Sequence, residues 1–226
     1  MTIIANHIIK EFGEPPTRVI QGIDLHIDDG EFVSISGRSG SGKSTLLYLL
    51  STLDEPSYGN ITLDGKDPKQ MSVDELHNFR NQHLGFVFQF HYLLPELSAL
   101  ENVLLPARRH GRHLEKEDYA RELFETFDIA DKIDKLPSQI SGGEQQRVAI
   151  ARAMIMNPRY LFADEPTGSL DTKNGDIVMD ILIRANSERG TTLVLVTHEE
   201  EYAAMANREV LLVDGRINEN HAIRND

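Results

Sequence analysis

Gly37-Arg38-Ser39-Gly40-Ser41-Gly42-Lys43-Ser44 is the stretch that decides the fold. Glycine, four residues and Gly-Lys-Ser stand between a β-branched run, Glu31 to Ser36, and a helical one, Thr45 to Leu53. In that strand–loop–helix setting the pattern cradles phosphate. Glycines let the backbone curl so that several N–H groups converge on phosphate oxygens. The helix start adds its positive dipole end. Lys43 supplies a cation for the β- and γ-phosphates, and the Ser44 hydroxyl suits Mg²⁺.

Working outward, strands are expected at Thr2 to Ile9, Val19 to Ile27, Asn60 to Leu63 and Leu84 to Phe88. Gly13-Glu14-Pro15-Pro16 and Asp28-Asp29-Gly30 read as turns between the first of these. Strand-like runs return at Tyr160 to Ala163, Thr191 to Thr197 and Val210 to Val213, with a helix from Lys173 to Glu188. The middle third differs: Leu97 to Leu105, Glu115 to Phe127 and Glu144 to Met154 carry helical periodicity. Strands alternating with helices predict an α/β sheet buried on both faces. The expected organisation is one domain, with residues 89–156 as a helical insertion between 1–88 and 157–226.

A net charge of −13, from 23 basic and 36 acidic side chains, argues against a nucleic-acid or anionic-lipid surface. There is no cysteine, hence no disulfide and no thiolate metal site. No run approaches the roughly 18 to 20 apolar residues that span a bilayer. A soluble protein is expected, reaching any membrane through a partner.

Tyr160-Leu161-Phe162-Ala163-Asp164-Glu165 is an apolar strand ending in two carboxylates. Asp164 suits Mg²⁺ beside Ser44. Glu165 can polarise an attacking water as general base. His198 closes the strand that ends at Thr197 and can hold the γ-phosphate and the water. Gln89 closes the strand Leu84 to Phe88 and can sense both metal and water. A second anion-suited helix start is Ser141-Gly142-Gly143-Glu144, where Ser141 can cap and two glycines permit close approach. It either folds back onto the same ligand or covers that of another copy.

With these segments in place, the chain resembles the ABC transporter nucleotide-binding family over essentially its whole length. Gly37 to Thr45 matches the Walker A segment, and Gln89 the Q-loop. Ile140 to Gln145 matches the signature, Leu161 to Glu165 Walker B, Ser169-Leu170-Asp171 the D-loop, and His198 the switch histidine. The signature has Ile140 for Leu and Glu144 for Gln, and Phe12 stands where the family has an adenine-stacking Tyr. The resemblance implies a P-loop NTPase cassette: a RecA-like core sheet, an antiparallel β subdomain and an inserted helical subdomain. It implies ATP and Mg²⁺ as ligands, with Thr45 completing the phosphate segment and Ser44, Gln89 and Asp164 as metal contacts. It also implies a head-to-tail pair in which each ATP lies between the Walker A of one copy and Ser141, Gly142, Gly143 and Glu144 of the other, with Asp171 at the same junction. A membrane permease would dock on the helical subdomain, placing the chain on the cytoplasmic face of the membrane.

Within the family, Phe88-Gln89-Phe90-His91-Tyr92-Leu93-Leu94-Pro95-Glu96-Leu97-Ser98-Ala99-Leu100-Glu101-Asn102-Val103 resembles the ATPases of lipoprotein-releasing transporters. The alternatives are a regulatory clamp of the cell-division type and a macrolide or peptide efflux ATPase, which share the same catalytic residues. A DNA-repair or ribosome-associated ATPase fits less well, since the chain has neither a long coiled-coil insertion nor a second cassette.

Overall fold

The computed structural model describes residues 2–222. Its element order begins with β1 (Thr2–Phe12), β2 (Thr17–Asp28), β3 (Phe32–Ser36), α1 (Lys43–Leu50), β4 (Tyr58–Leu63), α2 (Val73–His83) and β5 (Leu84–Phe88). There follow α3 (Ala99–Arg108), α4 (His113–Thr126), α5 (Gly142–Met154), β6 (Tyr160–Asp164), α6 (Thr172–Arg189), β7 (Thr192–Val196), α7 (Glu200–Ala203), β8 (Arg208–Val213) and β9 (Arg216–Ala222).

Two sheets form. The smaller is antiparallel, in the order β2-β1-β4, and the larger runs β5-β6-β7-β3-β8-β9. All neighbours in the larger sheet are parallel except β8 with β9. Every residue of β3, β6 and β7 is buried, as a parallel sheet covered on both faces requires. Alternate side chains therefore serve two cores. Leu161, Ala163, Leu193 and Leu195 pack with α3, α4, α5 and α6. Tyr160, Phe162, Val194 and Val196 pack with α1 and the antiparallel sheet. Each fully buried Leu or Phe contributes about 1.5–3 kcal/mol.

The parallel ladder puts the ends of β5, β6, β7 and β3 side by side: Phe88 pairs with Asp164, Asp164 with Val196, and Val196 with Ile35. The loops that leave these strands thus emerge together at the carboxyl edge, where open α/β sheets bind ligands.

The expected strands and the five expected helices all form, with shifted ends. α1 stops at Leu50, three residues before Leu53. The Ser51 hydroxyl bonds back to Tyr48 O, and Thr52 is left-handed (φ 64°), its hydroxyl held by Arg80 at 3.0 Å. α2 was not anticipated. It is closed by a reciprocal Ser72–Glu75 capping box and buries only Phe79. Among the described residues no helix is long and apolar enough to cross a membrane.

Candidate active site

The phosphate loop leaves β3 at Ser36 and enters α1 at Lys43. Gly37 has φ 137°, and a Cβ there would lie 2.2 Å from the Leu212 carbonyl oxygen, so only glycine lets the loop press against β8. Lys43 is buried and reaches back across the loop, donating to the carbonyls of Gly37 (2.9 Å) and Arg38 (3.2 Å). The hydroxyl of Ser41 is buried and has no hydrogen-bond partner among the described residues. A buried cation and an unmatched buried hydroxyl at one loop suit an anion with several oxygens. Ser36 to Ser41, Thr197, His198 and β8 border a cavity of about 820 Å³.

Ser44 Oγ donates to Asp164 Oδ1 at 2.9 Å, joining the start of α1 to the end of β6. Burial pushes the Asp164 carboxyl above its ordinary pKa and Glu165 adds to the rise; the hydroxyls of Tyr48 and Ser44 and the Lys43 ammonium offset only part. A hydroxyl and a buried carboxylate in contact are hard oxygen donors of the kind Mg²⁺ takes, with water and phosphate filling the rest of its shell. Among the described residues no three acidic or histidine side chains converge, so an all-protein cage is not what this edge offers.

Glu165 has φ 46°, an uncommon conformation of a sort that concentrates at functional sites. It is over-determined by two main-chain bonds: Glu165 N–H to Val196 O (2.9 Å) and Gly168 N–H to Glu165 O (3.1 Å). Its Oε2 lies 3.4 Å from His198 Nδ1. The edge thus brings a cation, a hydroxyl–carboxylate pair and a carboxylate–imidazole pair to adjacent strand ends.

Gln89 follows Phe88 directly and so stands beside the Asp164–Glu165 turn. Ser169 Oγ donates to its carbonyl at 3.4 Å, and its side-chain amide packs on Gly168. Phe12 is not among the residues lining the cavity. It sits 46% exposed at the end of β1, with Lys10 Nζ 4.9 Å from its ring centroid.

Ser141, Gly142, Gly143 and Glu144 do not line the cavity either. Ser141 and Glu144 form a reciprocal capping box, with Ser141 N–H donating to Glu144 Oε2 at 2.7 Å. Burial works against the Glu144 carboxylate, yet the Ser141 N–H and hydroxyl and Lys132 hold its pKa below the ordinary value. The glycine pair divides in two. A Cβ on Gly143 would be 2.4 Å from Asn174 Oδ1, so that glycine serves packing of α5 on α6, whereas a Cβ on Gly142 meets only His91 Nε2 at 4.0 Å. Asn174 in turn bonds Asp171, which caps α6. Asp171 and the signature segment are therefore neighbours within one chain.

Two contacts escaped the sequence reading. Thr167 Oγ1 donates to Glu199 Oε1 at 2.5 Å, linking the turn after Glu165 to the residue after His198. Gln146 is fully buried and bonds main-chain atoms beside both Gln89 and Glu165. The available signal for Gln146 was its place on the buried helical stripe of Gly143, Arg147 and Ile150, where a polar residue demands a partner.

A protein-family profile described as ABC transporter matches residues 20–168. The chain is 52% identical over 208 residues to the lipoprotein-releasing system ATP-binding protein LolD of Leptospira interrogans, an alignment covering 92% of this chain and 87% of that protein. It is 50% identical over 200 residues to the protein of the same name from Aquifex aeolicus, covering 88% and 89%. The solved dimeric structure of the bacterial ABC transporter cassette MJ0796 superposes with a TM-score of 0.91 at 39% identity, covering 99% of this chain and all of that one. A dimeric post-hydrolysis state of the same cassette, bound to ADP and Pi, gives 0.88 at 37% identity with the same coverage. The phosphate loop, the Ser44–Asp164 pair and these matches converge: the chain belongs to the ABC transporter family and carries its ATPase domain.

Proposed function

We propose that this chain hydrolyses ATP as the motor subunit of a lipoprotein-releasing transporter. The observation that carries the hydrolytic part is the adjacency of Ser44–Asp164 (2.9 Å) and Glu165–His198 (3.4 Å) at the edge that also bears Lys43. The transporter part rests on the 52% identity to a lipoprotein-releasing ATP-binding protein.

We assign the roles from the family resemblance together with position. Main-chain N–H groups from Gly37, Ser39, Gly40, Ser41 and Gly42, with Lys43, Ser44 and Thr45, hold the phosphates. Phe12 stacks on the adenine. Ser44 and Asp164, with Gln89, would hold Mg²⁺, which supplies charge neutralisation at the β- and γ-phosphate oxygens. Glu165 accepts the proton of the attacking water, and His198 and Gln89 keep that water in line. Electrostatic holding of the phosphates, rather than covalent chemistry, does most of the catalysis.

A second copy completes each site head to tail, its Ser141, Gly142, Gly143 and Glu144 closing over the ATP and its Asp171 lying at the junction. This reading draws support from the dimeric relatives and from Gly142, whose outward face is open. Residues 89–156 form the helical subdomain on which the permease docks, and Phe90 and Tyr92, 66% and 65% exposed, belong to that surface. The chain then sits on the inner face of the membrane through its permease.

The test is to express tagged Glu165→Gln protein, solubilise membranes with ATP and Mg²⁺ present, and identify what co-purifies. A permease together with lipoproteins is the expected result. A permease with cell-wall hydrolase regulators or an efflux adaptor, or no membrane protein at all, would overturn the assignment.

A further inference from the structure

We propose that Gln146 and His91 are a positioning pair that clamps Glu165 to the loop beyond Gln89. The proposal rests on the ATPase reading and adds two residues to it that do not line the cavity beside the phosphate loop.

The β5–β6 ladder ends at Phe88 opposite Asp164. Beyond that point the two chains diverge, one into Gln89 and the other into Glu165. Gln146, fully buried on α5, provides the next link between them. Its Nε2 donates to Pro166 O at 2.8 Å and to Phe88 O at 3.2 Å. One carbonyl follows Glu165 and the other precedes Gln89, so a single carboxamide spaces the two residues.

Both N–H bonds of the amide are thereby committed, which fixes its orientation and leaves Oε1 as an acceptor. His91 Nδ1 lies 2.6 Å from that oxygen, and with acceptor and donor so assigned the imidazole carries its proton on Nδ1. The opposite ring nitrogen faces Gly142, the open glycine of the signature. Arg152, from the last turn of α5, donates to His91 O (2.7 Å) and Tyr92 O (2.6 Å), fixing the same loop a second time. The start of α5, the loop after Gln89 and the turn bearing Glu165 therefore form one hydrogen-bonded unit. Displacing the exposed Phe90–Tyr92 segment must strain the peptide beside Glu165.

The experiment uses the full chain and Mg²⁺-ATP steady-state kinetics, with melting temperatures measured in parallel. Gln146→Leu keeps the volume and deletes both donors. We expect kcat to fall about tenfold, the effect of misplacing the base, while KM for ATP stays within about twofold because the phosphate loop is untouched. His91→Ala lowers kcat severalfold, and His91→Asn, whose amide N–H can reach the same oxygen, recovers at least half of that loss. The double variant Gln146→Leu/His91→Ala falls no further than Gln146→Leu alone, as two ends of one linkage require. Should Gln146→Leu fail to fold, the His91 pair decides the matter. Wild-type kcat in Gln146→Leu or His91→Ala overturns the proposal. So does His91→Asn behaving like His91→Ala, or kcat and KM worsening together in step with the melting temperature. A wild-type chain with no ATP turnover would instead defeat the underlying ATPase reading.

Discussion

Replacing Gly143 by alanine places a methyl carbon 2.4 Å from Oδ1 and 2.6 Å from Cγ of Asn174. Asn174 is not free to swing away. Its Nδ2 donates to both carboxylate oxygens of Asp171 at 3.0 Å, and its Oδ1 accepts from Arg147 at 3.4 Å. Breaking these exposed or half-exposed bonds costs about 1–2 kcal/mol in all. Alanine in a helix returns about 1 kcal/mol over glycine, so the net is a loss of roughly 0–1 kcal/mol. Gly142→Ala meets nothing closer than 4.0 Å and should gain about 0.5–1 kcal/mol. Two neighbouring glycines of one motif should thus differ by roughly 0.5–2 kcal/mol under the same substitution. Urea denaturation followed by circular dichroism reads this directly. In an Asn174→Ala background the nearest atom to the new methyl is Cβ at 3.1 Å, and Gly143→Ala should cost less there than in the native chain. Gly143→Ala as stabilising as Gly142→Ala in the otherwise native chain would refute the packing argument.

Asp164→Asn keeps the shape of the β6 end but removes the anion that Mg²⁺ needs, so turnover should fall by about 10²-fold or more, and near-native turnover would exclude the metal role. Phe12→Ala should raise KM for ATP about tenfold, since a stacked base is worth about 1–3 kcal/mol; an unchanged KM removes Phe12 from the adenine site. Burial and the hydrogen bond to Asp176 (3.1 Å) push the Tyr202 phenol from 10.0 to about 12. A raised acid contributes stability that is complete below pH 10 and is lost as pH rises through 12, so Tyr202→Phe should flatten the decline of stability across that window. An unaltered slope would show that Tyr202 does not titrate as placed.

The candidate site was legible because each of its parts sits at a strand end with a chemical reason to be there. Apolar runs located β3, β5, β6 and β7, and Lys43, Gln89, Asp164 and His198 each lie at or just past a helix or strand boundary. The elements that escaped were those with little apolar pattern. α2 rests on one buried residue, Phe79, and its signal was the Ser72–Glu75 capping box rather than periodicity. β9 pairs at the end of the sheet with a polar sequence, Arg-Ile-Asn-Glu-Asn-His-Ala, and only the ladder to β8 defines it. The sequence offers Gly143 as room for a ligand; the contact that a side chain there would meet comes from Asn174, 31 positions later, which no local pattern encodes.

The central claim is that Glu165 is the base of an ATPase that works as a pair. Turnover and oligomeric state of Glu165→Gln, measured together with Mg²⁺-ATP, test it most directly. Glu165→Gln should retain ATP binding, lose turnover by about 10²-fold or more, and form a stable dimer that wild-type protein does not accumulate. Turnover like the wild type, or a variant that binds ATP and stays monomeric, would contradict it.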